Sequence, residues 1–304
     1  MTSTHSHPIS EASWQLRSRA LALSARTLIM GIVNITPDSF SDGGRYLNSD
    51  AAVAHGLQLL EEGADILDLG AESTRPGAQA GNPATALVTT DEEQARLLPV
   101  IEGIHRERPE AVLSIDTYKS ETARAALHAG AEIINDVSGF TWDAAMAQVC
   151  AEARCGLVLM HTRGTPETWH TQSRQSGAQL LAMVQAGLIE SLQLAEAAGI
   201  ARERIVLDPG YGFGKRGDEN YALLARQREL LKLRCPLLVG LSRKSFLRKT
   251  ATLRGSDSSP ELLEISSASA LVTAILEGAS IVRVHSVRHA LAAAAIADAV
   301  LAVR

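Results

Sequence analysis

LIMGIVNITPDSFSDGGRYLNSDAAVAHGLQLLEEGADILDLG, residues 28–70, is the stretch that decides the fold. Its two ends, LIMGIVN (28–34) and DILDLG (65–70), are short apolar runs bounded by polar or turn-forming residues, which predicts strands. Between them, residues 50–63 set Val53, Leu57 and Leu60 on one helical face, open on a capping residue and close on Gly63. Strand, helix and strand in that order form a βα unit of a parallel sheet. Working outward, six more runs end in the same way: residues 111–116, 132–136, 156–161, 204–210, 236–242 and 280–285. Helical stretches separate them, and the strand total is eight.

Eight βα units can close into a barrel or spread into an open doubly wound sheet. Eight is the closing number, and no glycine-rich dinucleotide fingerprint follows the first strand. The expectation is therefore an α/β, single-domain (β/α)8 TIM barrel over residues 27–304, with residues 1–26 as a short, flexible N-terminal tail. His5 and His7, in a Ser/Thr-rich terminus, read as tail residues rather than metal ligands. No linker rich in Pro, Gly or Ser divides the rest.

The 304 residues are 46% hydrophobic and carry a formal charge of −5, enough apolar material for a large core and too acidic for a general nucleic-acid binder. Cys150, Cys155 and Cys235 have neither zinc spacing nor an even number for a disulfide framework. No apolar run reads as a membrane span, and the first residues have no secretory h-region, so a cytoplasmic protein with no membrane partner is expected.

Nearly every predicted strand ends in polar side chains: Asn34, Asp116, Asn135 with Asp136, His161, Asp208, Ser242 followed by Arg243 and Lys244, and Arg283 with His285. Each alone is a candidate cap for the following helix. Together they fall at the C-terminal mouth of a barrel, where active sites of this fold lie. The carboxylates and amide of Asp116, Asn135 and Asp208 suit a flat, nitrogen-rich ring presenting paired N–H donors. Arg75, Lys244, Arg283 and His285 suit phosphates or carboxylates. SRKS (242–245), ahead of a predicted helix, is a candidate anion cradle, and residues 34–44 are long enough to form a lid.

Several of these segments resemble the dihydropteroate synthase family: MGIVNITPDSFSDGG (30–44), ESTRPG (72–77), SIDTYK (114–119), IINDVSG (133–139), LMH (159–161), DPGYGFGK (208–215), LSRKS (241–245) and RVH (283–285). The resemblance spans most of residues 28–290, with the motifs in the family's order. It implies an enzyme that joins a dihydropterin pyrophosphate to p-aminobenzoate in folate synthesis. By it, Asn34 would bind Mg2+ together with the pyrophosphate, and Asp116, Asn135, Asp208 and Lys244 would hold the pterin. Arg283 and His285 would contact the ring face and pyrophosphate. Thr74, Arg75, Phe213 and Ser245 would form the p-aminobenzoate pocket, with Phe40 and Asp42 closing over it. Asp116, Asp208 and Lys244 carry the catalytic expectation, and a homodimer is implied.

Two segments depart from the family pattern. The run after ESTRPG is about half a dozen residues longer than usual, reading as a loose extension of the second loop. Residues 252–269 also differ and are expected to serve helix packing and dimerisation rather than catalysis. The rival readings are a pterin-binding methyltransferase of the same superfamily, which would not need ESTRPG and SRKS together, and a non-catalytic paralogue, which would have lost parts of the p-aminobenzoate pocket.

Overall fold

The structure is a computed structural model that describes residues 13–35, 45–73, 79–81, 86–252 and 259–304. Two short strands, β1 (Ser13–Gln15) and β2 (Ala20–Ala22), pair antiparallel. Strands β3 (Leu28–Asn34), β4 (Ile66–Gly70), β5 (Leu113–Asp116), β6 (Ile133–Asp136), β7 (Gly156–Met160), β8 (Ile205–Asp208), β9 (Leu237–Val239) and β10 (Ala279–Val284) follow. Among the described residues these eight run parallel and close in the order β10-β3-β4-β5-β6-β7-β8-β9. Helices α1 (Arg45–Glu61), α2 (Thr90–Glu107), α3 (Ser120–His128), α4 (Met146–Ala153), α5 (Gly177–Ala197), α6 (Asp218–Leu224), α7 (Ser245–Thr252), α8 (Pro260–Leu276) and α9 (Val287–Leu301) alternate with them. The (β/α)8 barrel is as expected.

Strand parity divides the core in two. Ile29, Val33, Leu67, Leu69, Leu157 and Leu159 face the helices. Their neighbours of opposite phase, Leu28, Met30, Ile66, Val112, Ile133, Val158, Val206, Leu238 and Ile281, fill the barrel. Continuing that inward phase toward the C-terminal end reaches Asp68, Ser114, Asp116, Asn135, Asp208 and Arg283. Period-two geometry thus carries the interior from an apolar plug to a polar mouth.

The expectation of a flexible tail through residue 26 is corrected. Residues 13–26 bring Trp14, Leu16 and Leu23 into the same cluster as the barrel's interior residues. The Trp14 indole donates to the Arg204 carbonyl at 2.8 Å. Gly156 lets Leu16 pack close, since a Cβ there would lie 2.4 Å from the Leu16 side chain. An aromatic and two leucines closing the base are worth too much buried surface to leave in water.

Helix α5 is long and apolar enough, by length and composition, to cross a membrane, which the sequence reading overlooked. Leu180, Leu181, Val184 and Leu188 on it are buried within the barrel–helix core. Cys150, Cys155 and Cys235 are buried free thiols.

Candidate active site

A cavity of about 590 Å3 opens at the C-terminal mouth, lined by Asn34, Asp116, Asn135, Asp208, Phe213, Lys244, Ser245, Arg283 and His285 among others. Every described residue to which the family resemblance gives a role meets there, whereas Asp136 and His161, also read as mouth residues, do not line it. Phe40, Asp42, Thr74 and Arg75 lie outside the described residues, as do His5 and His7.

The capping alternative separates residue by residue. Asp136 is a local brace: it accepts from the Ser138 and Phe140 N–H groups, both at 2.8 Å. Asn135, one position earlier and of opposite phase, donates Nδ2 to Asp68 at 3.1 Å. Asp116 does not cap α3. It accepts from Arg283 Nη2 at 2.6 Å. Asp208 does both jobs, lining the cavity while accepting the Gly210 N–H at 2.7 Å. His161 does not line this cavity. Its buried ring packs so close to Gly187 on α5 that a Cβ there would come within 2.5 Å of it. Burial pushes its pKa down, so the imidazole is neutral.

Burial sets the electrostatics of the mouth. Asp116 is pushed up to about 7 by desolvation, against the pull of Arg283. Desolvation also raises the Asp208 carboxyl. Lys244 is brought down to about 8 by burial, with Asp208 opposing. Its Nζ lies 4.2 Å from the Phe213 ring centre, and Phe213 meets Trp169 edge-on at 5.0 Å. The site therefore offers acceptors, a cation and an aromatic wall within one desolvated space.

The loop after β8 is held from beneath. Lys215 is buried and donates to the carbonyls of His161 (3.0 Å), Gly210 (2.8 Å) and Phe213 (3.3 Å). Gly210, at φ +69°, could carry no side chain, since a Cβ would fall 2.0 Å from the His161 carbonyl oxygen. This packing fixes both Asp208 and Phe213.

Two segments that depart from the family pattern also meet the site. In the lengthened second loop, Ala80 is buried against Tyr118, Val137 and Met160, with Ala86, Trp142 and Phe213 beside them. Val88 O accepts from buried Lys119 Nζ at 2.7 Å, and Lys119 also pairs with Glu72 at 2.7 Å and Glu93 at 3.1 Å. The described ends of this loop are thus packed on the barrel, which corrects the picture of a loose extension. Within residues 252–269, Ser267 Oγ accepts the Arg243 N–H at 3.0 Å, Glu264 pairs with Arg243 at 2.5 Å, and Leu263 lines the cavity. This stretch therefore supports the SRKS turn as well as packing α8.

Sequence reasoning missed the apolar lining, Ile32, Val137, Met160 and Trp169, and the fully buried Asp68. Asp68 accepts from Ser114 Oγ (2.6 Å), Asn135 Nδ2 (3.1 Å) and Arg283 Nε (2.6 Å). Its signal was present in DILDLG: it shares phase with Ile66, so it points into the barrel.

A barrel with this mouth is that of the pterin binding enzyme family, which matches residues 30–285. The dihydropteroate synthase of Bacillus subtilis (strain 168) is 40% identical over 282 residues, covering 93% of this chain and 91% of that one. A Xanthomonas albilineans dihydropteroate synthase solved with 4-aminobenzoic acid superposes at a TM-score of 0.84 with 40% identity, covering 97% of this chain and all of that one. The same enzyme in complex with 7,8-dihydropteroate superposes at 0.81 with 39% identity, over 96% of this chain and 100% of its own. The chain belongs to the dihydropteroate synthase family, a family of transferases. That relationship sets aside the methyltransferase and the non-catalytic readings.

Proposed function

We propose that this mouth joins 6-hydroxymethyl-7,8-dihydropterin pyrophosphate to p-aminobenzoate, with Asp116, Asn135, Asp208 and Lys244 on the pterin, and Arg283 and His285 toward the pyrophosphate. The observation that carries the reading is the meeting of these six residues in one desolvated cavity. Phe213 and Ser245, in the same cavity, face the p-aminobenzoate, with Thr74 and Arg75 joining them and Phe40 and Asp42 closing the first loop.

The reaction is a substitution at the pterin methylene. The C–O bond to pyrophosphate breaks with its electron pair leaving on the phosphate oxygen. The aniline nitrogen then forms the new C–N bond and loses a proton. Asp208 and Asp116 stabilise positive charge spread over the ring as the leaving group departs, and Arg283 and His285 stabilise the departing anion. An aniline is already nucleophilic, so no strong base is required. Exclusion of water by the apolar wall of Val137, Met160 and Phe213 protects the electrophile from hydrolysis.

The donor set fits Mg2+ carried in with the pyrophosphate. Among the described residues there is no cluster of three acidic, His or Cys ligands, and Asn34 supplies an amide oxygen at the end of β3. Mg2+ commonly takes one or two protein oxygens and fills its shell with phosphate oxygens and water. Asn34 would hold the ion, which supplies charge neutralisation to the leaving group.

The partners are then two small molecules, with neither nucleic acid nor membrane. A homodimer is supported by exposed apolar residues on the adjoining helices α8 and α9, namely Ile265, Ile296, Val300 and Leu301. Three buried unpaired thiols agree with a cytoplasmic setting. Isothermal titration with Mg2+, dihydropterin pyrophosphate and p-aminobenzoate tests the site. Ordered binding, pterin first, is expected; tight p-aminobenzoate binding to metal-free, pterin-free protein would contradict it.

A further inference from the structure

Asp68 is fully buried at the centre of β4 and lies beneath the cavity rather than in its lining. A carboxylate in such a place persists only if its charge and lone pairs are matched. Its three partners come from three other strands: Ser114 on β5, Asn135 on β6 and Arg283 on β10. Two of them, Asn135 and Arg283, line the cavity.

We propose that Asp68 is a positioning residue for the pterin subsite, orienting the Asn135 amide and sharing Arg283 so that the arginine does not pair with Asp116 alone. The inference rests on the reading of this mouth as the pterin site. The first part follows from donor chemistry. A carboxylate only accepts, so Asn135 must present Nδ2 to Asp68, which turns its Oδ1 away from Asp68 and fixes an amide that could otherwise flip. The second part follows from charge. Arg283 divides its fork between Asp68, through Nε at 2.6 Å, and Asp116, through Nη2 at 2.6 Å. Only Asp116 reaches the cavity. Without the negative charge at residue 68, Asp116 would be the one remaining carboxylate hydrogen-bonded to Arg283 among the described residues. The carboxylate meant for a ring N–H, which already accepts from Nη2, would then be held more tightly by the arginine.

Asp68→Asn separates charge from geometry. An amide oxygen can accept from both Asn135 and Arg283, while the amide nitrogen donates to Ser114 Oγ, so the bonds to Asn135 and Arg283 are kept, the bond to Ser114 reverses direction, and the charge is lost. The test titrates 6-hydroxymethyl-7,8-dihydropterin into wild type, Asp68→Asn, Arg283→Ala and the double variant, with the melting temperature and the p-aminobenzoate KM measured for each. The expected result is about tenfold weaker pterin binding in Asp68→Asn with a p-aminobenzoate KM within twofold of wild type. In the Arg283→Ala background the same change should cost less than threefold. Pterin affinity within twofold of wild type in Asp68→Asn would overturn the proposal. So would a full tenfold loss persisting without Arg283, or a p-aminobenzoate KM rising in step with pterin Kd, which would mark a general packing role. A wild-type protein that binds no dihydropterin would instead overturn the site reading on which this rests.

Discussion

Asp208 has two duties, bracing the Gly210 N–H at 2.7 Å and lining the cavity, and substitution distinguishes them. Asp208→Asn keeps an oxygen for Gly210 and removes the charge. Losing a charge-assisted bond to the ring costs about 1.5 to 3 kcal/mol, so pterin binding should weaken roughly ten- to a hundredfold with little change in melting temperature. Unchanged affinity with a lower melting temperature would show that the residue is only a brace. The pair of shifted groups also fixes a pH dependence. Asp116, raised to about 7, gives a ring N–H a charge-assisted acceptor only when ionised, so kcat/KM for the pterin substrate should rise as pH passes through that value. Lys244, lowered to about 8, donates a charge-assisted bond only when protonated, so kcat/KM should fall above it. A profile flat from 6 to 9 would contradict both assignments.

At the scale of elements, the second loop is tied down more firmly than its length implies. Lys119, Glu72 and Glu93 form a buried charge cluster at its base. Removing one member of such a cluster strands the others, so Lys119→Met should destabilise by about 3 to 5 kcal/mol in thermal or urea unfolding. Burial already raises the Glu72 carboxyl, and without its lysine it would take up a proton. Farther along, Gly81 has φ +110°, and a Cβ would lie 2.6 Å from Thr165. Gly81→Val should lift this loop, raising the p-aminobenzoate KM severalfold while pterin affinity stays within twofold; a change confined to pterin affinity would misplace the loop. The strands were legible because each is an apolar run ended by a polar residue, and the polar ends met as parity requires. What escaped was information carried by partners distant in sequence. Asp68 sits inside a run that looks merely apolar, and its partners are 46, 67 and 215 residues away. The Ala80 contact depends on Tyr118, Val137 and Met160, which no local pattern links to it.

For the whole molecule, the barrel divides labour between its ends. The base is closed by the hairpin of β1 and β2, whose Trp14 is fully buried. The hairpin escaped sequence reading because three-residue strands show too few alternations to register a period. Trp14→Ala should cost about 3 to 5 kcal/mol of stability, yet leave both KM values within twofold, because the cavity lies at the opposite end. A large change in either KM would mean that the base transmits its packing to the mouth. The central claim is that the mouth performs the condensation named by the family to which the chain belongs. The most direct measurement incubates the purified protein with 6-hydroxymethyl-7,8-dihydropterin pyrophosphate, p-aminobenzoate and Mg2+, following both products by chromatography. Equimolar 7,8-dihydropteroate and pyrophosphate are predicted, with the yield abolished in Lys244→Ala. Release of pyrophosphate without dihydropteroate, or no turnover at any substrate concentration, would contradict the account.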